Sequence, residues 1–143
     1  MNREEIKQFL PHREPMLLVD SVELDEDQVA RALYHVRGDE FFLQGHFPGN
    51  PVVPGVILCE IMAQSSSMLI KELLVGRTPF YAGIDNVRFK RQVKPGDTVH
   101  IISRIVRQRG LIFFVEAKAE VDGELCTQGN LTFALVDNDK LGG

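Results

Sequence analysis

A histidine and a glutamate are the two side chains in this sequence whose types and spacing suggest proton-transfer chemistry. His46 lies in a loop, residues 44–55, that contains three glycines and three prolines, and Glu60 follows fourteen residues later. Imidazole is a natural base near neutral pH, and burial raises the pKa of a carboxyl group so that it can act as an acid. The pair is a candidate base and acid. Each residue also has a structural interpretation, as a histidine bonded to backbone and a solvated glutamate.

The elements that must position this pair are the rigid loop and one long helix. Pro54 suits the first turn of a helix and Gly76 ends it, so the sequence predicts a helix over residues 54–75. Apolar residues occupy most of its circumference, which predicts a buried helix and a partly buried Glu60 with a raised pKa. The remaining narrow stripe is polar and consists of Glu60, Gln64, Ser67 and Lys71.

The rest of the chain is predicted to be mainly strands. A short helix capped by Asn2 ends before Pro11. Alternating apolar residues and turn signals then predict six strands, at residues 16–24, 28–36, 80–93, 98–108, 111–121 and 124–136. Asp122-Gly123 is a strong two-residue hairpin turn between the last two. The fold class is therefore α+β, with an antiparallel sheet wrapped around one long buried helix.

Composition narrows the functional classes. The 143 residues suit a single domain, residues 1–143, and the net charge of −4 argues against nucleic acid as a partner. No stretch is long and apolar enough to cross a membrane, and residues 1–5 do not begin a secretory signal, so we expect a cytoplasmic protein. Cys59 and Cys126 are expected to be free thiols. The four histidines lack the spacing of metal ligands, so no metal site is predicted.

Four segments, in chain order, carry a resemblance to a known family. They are residues 10–20 (LPHREPMLLVD), 45–56 (GHFPGNPVVPGV), 60–64 (EIMAQ) and 82–91 (AGIDNVRFKR). Together they resemble the FabZ family, the 3-hydroxyacyl-(acyl-carrier-protein) dehydratases of bacterial type II fatty acid synthesis. The resemblance spans nearly the whole chain. It implies a hot-dog fold, in which a curved antiparallel sheet surrounds a central helix.

The resemblance also implies an activity and an assembly. The enzyme would be a hydro-lyase without cofactor that converts a (3R)-hydroxyacyl thioester to a trans-2-enoyl thioester and water. Subunits would pair into homodimers, usually in a trimer of dimers, with His46 of one subunit and Glu60 of the other in each active site. His46 would remove the α-proton, and Glu60 would protonate or position the departing β-hydroxyl.

Further site residues follow from the same resemblance. The backbone N–H of Gly55, with that of Val56, would hold the thioester carbonyl, since N–H groups at a helix start lack partners. Gln64 would steady Glu60, although a purely structural polar contact is an equal alternative. An acyl tunnel would be lined by side chains that are equally good core residues: Phe80, Tyr81, Ile57, Ile61 and Met62.

The expected partner is acyl carrier protein, an acidic protein that delivers the acyl chain on a phosphopantetheine arm. The densest basic cluster in the chain is Arg88, Lys90, Arg91 and Lys94. Strand alternation predicts Arg88 and Lys90 on one face, where they would attract an acidic partner. An ordinary solvated edge strand is the alternative.

Two other functions remain as alternatives. A dual dehydratase and trans-2 to cis-3 isomerase would use the same pair, and the Glu at position 60 favours the simple dehydratase over the FabA branch, where Asp is found. A non-catalytic hot-dog module that binds acyl thioesters is the third hypothesis. The retained His46 and Glu60 argue against that third hypothesis.

Overall fold

The computed structural model describes residues 1–140, so residues 141–143 of the predicted domain lie outside the described residues. The described chain contains two α-helices, α1 (Arg3–Ile6) and α2 (Gly55–Ser66). Its six strands are β1 (Ser21–Leu24), β2 (Ala30–His35), β3 (Arg77–Phe89), β4 (Thr98–Arg109), β5 (Ile112–Val121) and β6 (Glu124–Asp137). Short 3-10 segments cover Phe41–Leu43, Ser67–Leu73 and Asn138–Lys140. In this part of the chain no helix is both long and apolar enough to cross a membrane.

The strands form one antiparallel sheet in the order β1-β2-β4-β5-β6-β3, so β3 lies at an edge. Alternation selects the buried face, because successive side chains of a strand point to opposite sides. In β5 the buried positions are Phe113, Val115, Ala117, Ala119 and Val121, as predicted. Asp122 and Gly123 both have positive φ, which is the conformation of a two-residue hairpin turn.

Helix α2 lies in the core enclosed by this sheet. Ile61 and Met62 are fully buried, and the helix contacts β2, β4, β5 and β6. Close packing of apolar side chains on nearly every side of the helix is the main stabilising term here. A six-stranded antiparallel sheet around a central helix confirms the predicted hot-dog fold.

The predicted helix over residues 54–75 is wrong beyond Ser66. The α-helix continues only as a 3-10 segment, and Ile70 leaves the helical region with φ of −121°. The Oγ atoms of Ser65 and Ser66 donate to the carbonyls of Ile61 and Met62, each at 2.7 Å. Such side-chain bonds to the preceding turn compete with the backbone ladder and favour the change of helix type.

Three strand predictions also need correction at their ends. The strand predicted at 16–24 begins only at Ser21, because Leu17, Leu18 and Val19 are buried in succession and do not alternate as a strand with one buried face would. The strand predicted at 28–36 spans Ala30–His35, because Gln28 has a positive φ and belongs to the preceding turn. The strand predicted at 80–93 is shifted and ends at Phe89. Lys90 therefore follows the strand, and the expectation that Arg88 and Lys90 share a strand face is wrong.

The N-terminal segment is held against the domain by a capped helix and ion pairs. Asn2 accepts a hydrogen bond from the Glu5 N–H, and the Glu5 carboxylate accepts one from the Asn2 N–H. Arg3 contacts Asp20 at 3.0 Å and Glu14 at 3.1 Å. Lys7 lies 2.9 Å from Glu14, and its hydrogen bond, aided by the charge of Arg3, lowers the pKa of Glu14 to about 2. The segment between α1 and β1 is consequently pinned at both ends.

A buried carboxylate anchors the loop that leads to His46. Glu40, 6% exposed, accepts a hydrogen bond of 2.6 Å from the fully buried Tyr34 hydroxyl, and two more from the N–H groups of Arg37 and Gly38. Burial alone would raise the pKa of Glu40, but these donors outweigh burial and the pKa lies below its ordinary value. These hydrogen bonds therefore fix the position of Glu40 directly before the Phe41–Leu43 turn.

We expect Glu40→Gln to lower the free energy of unfolding by about 2 kcal/mol at pH 7, because hydrogen bonds to a buried charge are lost. The folded pKa of Glu40 is depressed, so its contribution is present above the ordinary value of 4.5 and is lost as pH falls through the folded pKa. Urea unfolding at fixed protein concentration, at pH 7 and below pH 4.5, measures both effects. The exposed Glu72→Gln is the matched control. Equal stabilities of the Glu40 variant and the parent at pH 7 would contradict the assignment.

Candidate active site

His46 is held by a hydrogen bond that assigns its tautomer. Its Nδ1 lies 2.9 Å from the Val52 carbonyl oxygen, and the Val52 N–H donates to the His46 carbonyl at 2.8 Å. A carbonyl oxygen can only accept, so Nδ1 carries the proton and the neutral ring has its lone pair on Nε2. The Phe47 ring stacks on the imidazole with centroids 4.2 Å apart. The loop therefore presents an oriented base.

Glu60 is surrounded by hydrogen-bond donors. Its Oε2 accepts from Gln64 Nε2 at 2.8 Å, and its Oε1 accepts from the Tyr81 hydroxyl at 3.0 Å. His12 Nε2 lies 3.4 Å from the same Oε2. The Glu60 side chain is 19% exposed, so these contacts form in a largely desolvated setting. Gln64 thus contacts Glu60 as predicted.

The predicted rise in the pKa of Glu60 is wrong for this protomer. Burial is the largest single influence and raises the pKa, but the donors His12, Gln64 and Tyr81 together outweigh it. The pKa of Glu60 therefore lies below its ordinary value, and the carboxylate is ionised at neutral pH. Burial, together with the negative charge of Glu60 nearby, raises the pKa of Tyr81. The tyrosine therefore keeps its proton and donates a hydrogen bond to Glu60.

His12 is a neighbour of Glu60 that the sequence analysis did not assign. It lies in residues 10–20, one of the four segments that carry the family resemblance, and the sequence alone predicts no role for it. The two side chains are 48 positions apart, and helix or strand periodicity is informative only over a few residues. The tertiary path of the N-terminal segment over α2 brings them together.

Glu60 and His12 share the wall of a cavity of about 150 Å³, here named the Glu60 cavity. Most of the area of its wall is apolar, and polar groups of His12, Glu60, Gln64, Ser67 and Tyr81 supply the rest. Phe80 and Tyr81 line it, as the tunnel hypothesis requires, whereas Ile57 and Ile61 do not. Ile61 and Met62 are fully buried core residues, and Ile57 packs against the same core. The remaining lining residues are Leu10, Ala63, Gln64, Ser67, Ile70, Pro79 and Phe133.

His46 lies in a different depression, here named the His46 hollow, which is also lined by Gly55, Val56, Phe89, Lys90 and Arg91. Helix α2 begins at Gly55, so the first N–H groups lack partners inside the helix. A Cβ atom at position 55 would lie 2.8 Å from Phe89 Cε1. Glycine therefore allows close approach to this helix start.

The structure does not bring His46 and Glu60 into contact within one protomer. Glu60 lines a second, outward depression with Val56, Tyr81 and Phe89. Val56 and Phe89 border both this depression and the His46 hollow, and they are 76% and 54% exposed. An exposed apolar ridge thus separates the two candidate catalytic side chains.

The basic residues predicted to bind a partner divide into two groups. Lys90 and Arg91 line the His46 hollow, and Arg91 is paired with Glu124 at 3.1 Å. Arg88 lines a separate polar groove on another face with Arg31 and Arg104. Lys94 is exposed beside the turn at Asp97. The four residues therefore do not form one continuous patch.

Among residues 1–140 no group of three or more His, Cys, Asp or Glu side chains is arranged to hold a metal ion. Cys59 and Cys126 are buried, and neither forms a disulfide. Burial raises the pKa of the Cys59 thiol, which keeps it protonated at neutral pH. The chemistry available at the site is thus that of an oriented imidazole, an ionised carboxylate and backbone N–H donors.

Comparison with solved structures supports the fold. The dehydratase heterocomplex ApeI:P from Xenorhabdus doucetiae matches with a TM-score of 0.78 and 21% identity, covering 95% of this chain and 93% of that one. A mutant form of a thioesterase from Pseudomonas aeruginosa matches with a TM-score of 0.69 and 16% identity, covering 96% and 95%. At these identities the likeness concerns the fold alone.

Sequence comparison is more specific. A FabA-like domain model matches residues 10–130. The 3-hydroxyacyl-(acyl-carrier-protein) dehydratase FabZ of Streptococcus sanguinis is 52% identical over 133 residues, covering 91% of this chain and 94% of that protein. The FabZ protein of Bacillus subtilis is 48% identical over 138 residues, covering 94% and 98%. The chain therefore belongs to the FabZ family of 3-hydroxyacyl-(acyl-carrier-protein) dehydratases, within the group that the FabA-like domain describes.

Proposed function

We propose that this protein is a (3R)-hydroxyacyl-(acyl-carrier-protein) dehydratase of type II fatty acid synthesis. The observation that carries the proposal is the bond from His46 Nδ1 to the Val52 carbonyl, because it leaves Nε2 free to accept a proton. A neutral imidazole held in this way is suited to remove a proton from the carbon next to a thioester carbonyl. The family's named activity supports the same reaction.

The elimination can be written with all atoms in balance. His46 Nε2 takes the α-proton, the electron pair of that C–H bond forms the carbon–carbon double bond, and the C–O bond to the β-hydroxyl breaks. The departing hydroxide takes up the proton carried by His46 and leaves as water. The N–H groups of Gly55 and Val56 would stabilise negative charge on the thioester oxygen, since the first N–H groups of a helix lack partners inside it and both residues line the His46 hollow.

Glu60 positions the departing hydroxyl in this scheme. Its lowered pKa keeps it ionised, and a carboxylate can only accept a hydrogen bond. The β-hydroxyl donates to it, which orients the C–O bond relative to His46. Gln64 and Tyr81 hold the carboxylate in place. Of the two roles expected for Glu60, protonating or positioning the hydroxyl, the donors around it support positioning.

A homodimer would complete the site. His46 and Glu60 line different depressions that share Val56 and Phe89, and no hydrogen bond joins the two side chains within one protomer. Strand β3 is an edge strand with Phe80, Tyr81, Ile84 and Phe89 all exposed. Unpaired edges with large apolar side chains favour pairing with a second chain. In a two-fold dimer His46 of one protomer would face Glu60 of the partner subunit.

A trimer of dimers requires further apolar contacts. Val106, Leu111 and Ile112, at the end of the β4–β5 hairpin, are 50%, 36% and 39% exposed. Exposed side chains of this kind support a second interface. The hexamer is proposed on this basis together with the family resemblance.

The acidic acyl carrier protein would dock beside the His46 hollow. Lys90 and Arg91 line that hollow and lie closest to the base, which supports them as contacts for the carrier or its phosphopantetheine phosphate. Arg88 faces the separate polar groove, and Lys94 is exposed near the β4 start. We therefore propose Lys90 and Arg91 as the principal docking residues, with Lys94 beside them.

Mixed dimers test the shared site directly. We expect His46→Ala and Glu60→Gln each to lower the rate of crotonyl-thioester hydration about 100-fold or more, because the first removes the base and the second removes the charged acceptor that positions the hydroxyl. In a mixed dimer, one site then holds both substitutions and the other holds neither. Random pairing makes about half of the dimers mixed, so about a quarter of parental activity returns.

The mixing experiment uses two affinity tags to isolate the mixed dimer, with each variant reconstituted alone as the control. No recovery in the purified mixed dimer would mean that each site lies within one protomer. A parent inactive with carrier-protein substrates of several chain lengths would favour the non-catalytic binding module. Detection of a cis-3 product in the same assay would favour the dual isomerase.

The pH dependence tests the charge of Glu60. Because its pKa lies below the ordinary value, Glu60 stays ionised as pH rises and contributes no alkaline loss of activity. We expect kcat/KM to show no alkaline fall between about pH 7 and pH 9, because Glu60 already acts as an ionised acceptor. A stopped assay over this range measures it. A bell-shaped profile whose alkaline limb disappears in Glu60→Gln would instead identify Glu60 as a proton donor.

Charge reversal tests the docking surface. We expect Lys90→Glu to raise KM for a carrier-protein substrate about 10-fold at low salt, because it repels an acidic partner. KM for a pantetheine thioester without the carrier should stay unchanged, and the difference should shrink with added salt. Lys118→Glu, on β5 and away from the hollow, is the control. Equal effects on both substrates would assign Lys90 to the site itself rather than to docking.

A further inference from the structure

The Glu60 cavity contains a second titratable side chain that the proposed reaction does not use. His12 lines the cavity, and its Nε2 lies 3.4 Å from Glu60 Oε2. This distance is long for a hydrogen bond, but catalytic contacts in proteins without substrate often tighten when substrate binds. His12 comes from the N-terminal segment rather than from α2. The contact therefore joins two elements that are remote in sequence.

The surroundings of His12 Nδ1, the other ring nitrogen, indicate which nitrogen carries the proton. Nδ1 is buried and has no hydrogen-bond partner among the described residues. A buried N–H group without an acceptor is more costly than a bare ring nitrogen, so the proton belongs on Nε2. Nε2–H then faces the Glu60 carboxylate. A histidine kept for structure alone would be expected to bond through Nδ1 as well, and this one does not.

The segment carrying His12 is built to hold the ring in this place. Arg13 donates to the carbonyls of Leu10 and His12, at 2.9 and 2.8 Å. Gln64 donates to the Met16 carbonyl and accepts from the Leu18 N–H, both at 2.7 Å. Gln64 also contacts Glu60. One side chain of α2 thus fixes both the carboxylate and the segment that brings His12 to it.

The titratable groups that face Glu60 come from three elements. They are His12 from the N-terminal segment, Tyr81 from β3 and, on α2 itself, Cys59, which lines the outward depression with Glu60. The guanidinium of Arg13 turns away toward backbone carbonyls. His12, Gln64 and Tyr81 all offer donors, so none competes with Glu60 as an acceptor.

We propose that His12 is a positioning residue for Glu60: its Nε2–H holds the carboxylate ionised and aimed at the substrate hydroxyl. The proposal rests on the function proposed above. His12 does not touch the reacting carbon atoms and acts through Glu60. Its contribution is to keep Glu60 an acceptor, rather than an acid, in the wall of the cavity.

Carboxyl-carbon NMR titration of Glu60 tests the pair without requiring activity. In His12→Phe, which keeps a ring but removes the donor, we expect the pKa of Glu60 to rise toward its ordinary value. In His12→Gln, whose amide nitrogen can reach the former Nε2 position, we expect the pKa to stay near that of the parent. His100→Phe and His100→Gln, on the exposed face of β4, are the matched controls. An unchanged Glu60 titration in His12→Phe would overturn the proposal.

Kinetics supply the second readout. We expect His12→Phe to lower kcat for hydration about 10-fold with little change in KM, and His12→Gln to recover most of that loss, because one hydrogen bond to a charge is removed and restored. In a Glu60→Gln background the His12 substitutions should have no further effect, since they act through Glu60. A loss confined to KM, or no recovery in folded His12→Gln, would make His12 a wall of the cavity and refute the positioning role.

The two proposals fail in different ways. If the parent has no dehydratase activity but the pKa of Glu60 responds to His12, the function is wrong and the pairing stands. If the parent is active and Glu60 titrates identically in all His12 variants, the function stands and the pairing is wrong. Thermal unfolding of each variant identifies any that does not fold, and if His12→Phe does not fold, His12→Leu, which also removes the donor, takes its place in both measurements.

Discussion

The side-chain amide of Gln64 is the interaction on which much of the site depends. It is 3% exposed and makes three hydrogen bonds, which link α2 to the backbone at Met16 and Leu18 and to the Glu60 carboxylate. The two backbone contacts determine which end of the amide donates, so its N–H must point to Glu60. An amide buried at this depth without its partners would be strongly unfavourable. Packing of the N-terminal segment and the charge of Glu60 are therefore coupled through one residue.

That coupling explains why burial does not make Glu60 an acid here. Desolvation alone would raise its pKa, but the donors around the carboxylate lie at short range and prevail. His46 follows a similar rule, since one backbone carbonyl selects its tautomer. In both cases a neighbouring polar group decides which proton is present. The result is a base and an acceptor that are oriented before substrate arrives, which is how a site lowers its reorganisation cost.

The order of the strands explains why the site is divided between two depressions. Strand β3 lies at the edge and leaves Phe89 beside the start of α2, where glycine at position 55 allows the ring to approach. The ridge formed with Val56 keeps the His46 hollow apart from Glu60. Apolar exposure of this extent on an edge strand is unfavourable for an isolated protomer. The exposed apolar surface that destabilises an isolated protomer would therefore be the surface that completes the active site in the dimer.

Short-range patterns in the sequence were enough to predict several features, because periodicity and turn chemistry act within a few residues. These features are the fold class, the strands from β4 to β6, the Asp122-Gly123 turn, and the loop and helix carrying His46 and Glu60. Contacts between remote segments decided four other features: the extent of α2, the path of residues 16–20, the sign of the Glu60 pKa shift and the neighbourhood of His12. Lys90 does not share a strand face with Arg88 for the same reason, since the regular pairing of β3 with β6 ends at Phe89 and the N–H groups of Lys90 and Arg91 both bond to the Cys126 carbonyl. The sequence by itself determined which chemical groups this protein has and on which elements they lie. Only the tertiary structure decided which groups meet, and hence their charge, because hydrogen bonding and burial depend on distances that local patterns do not encode.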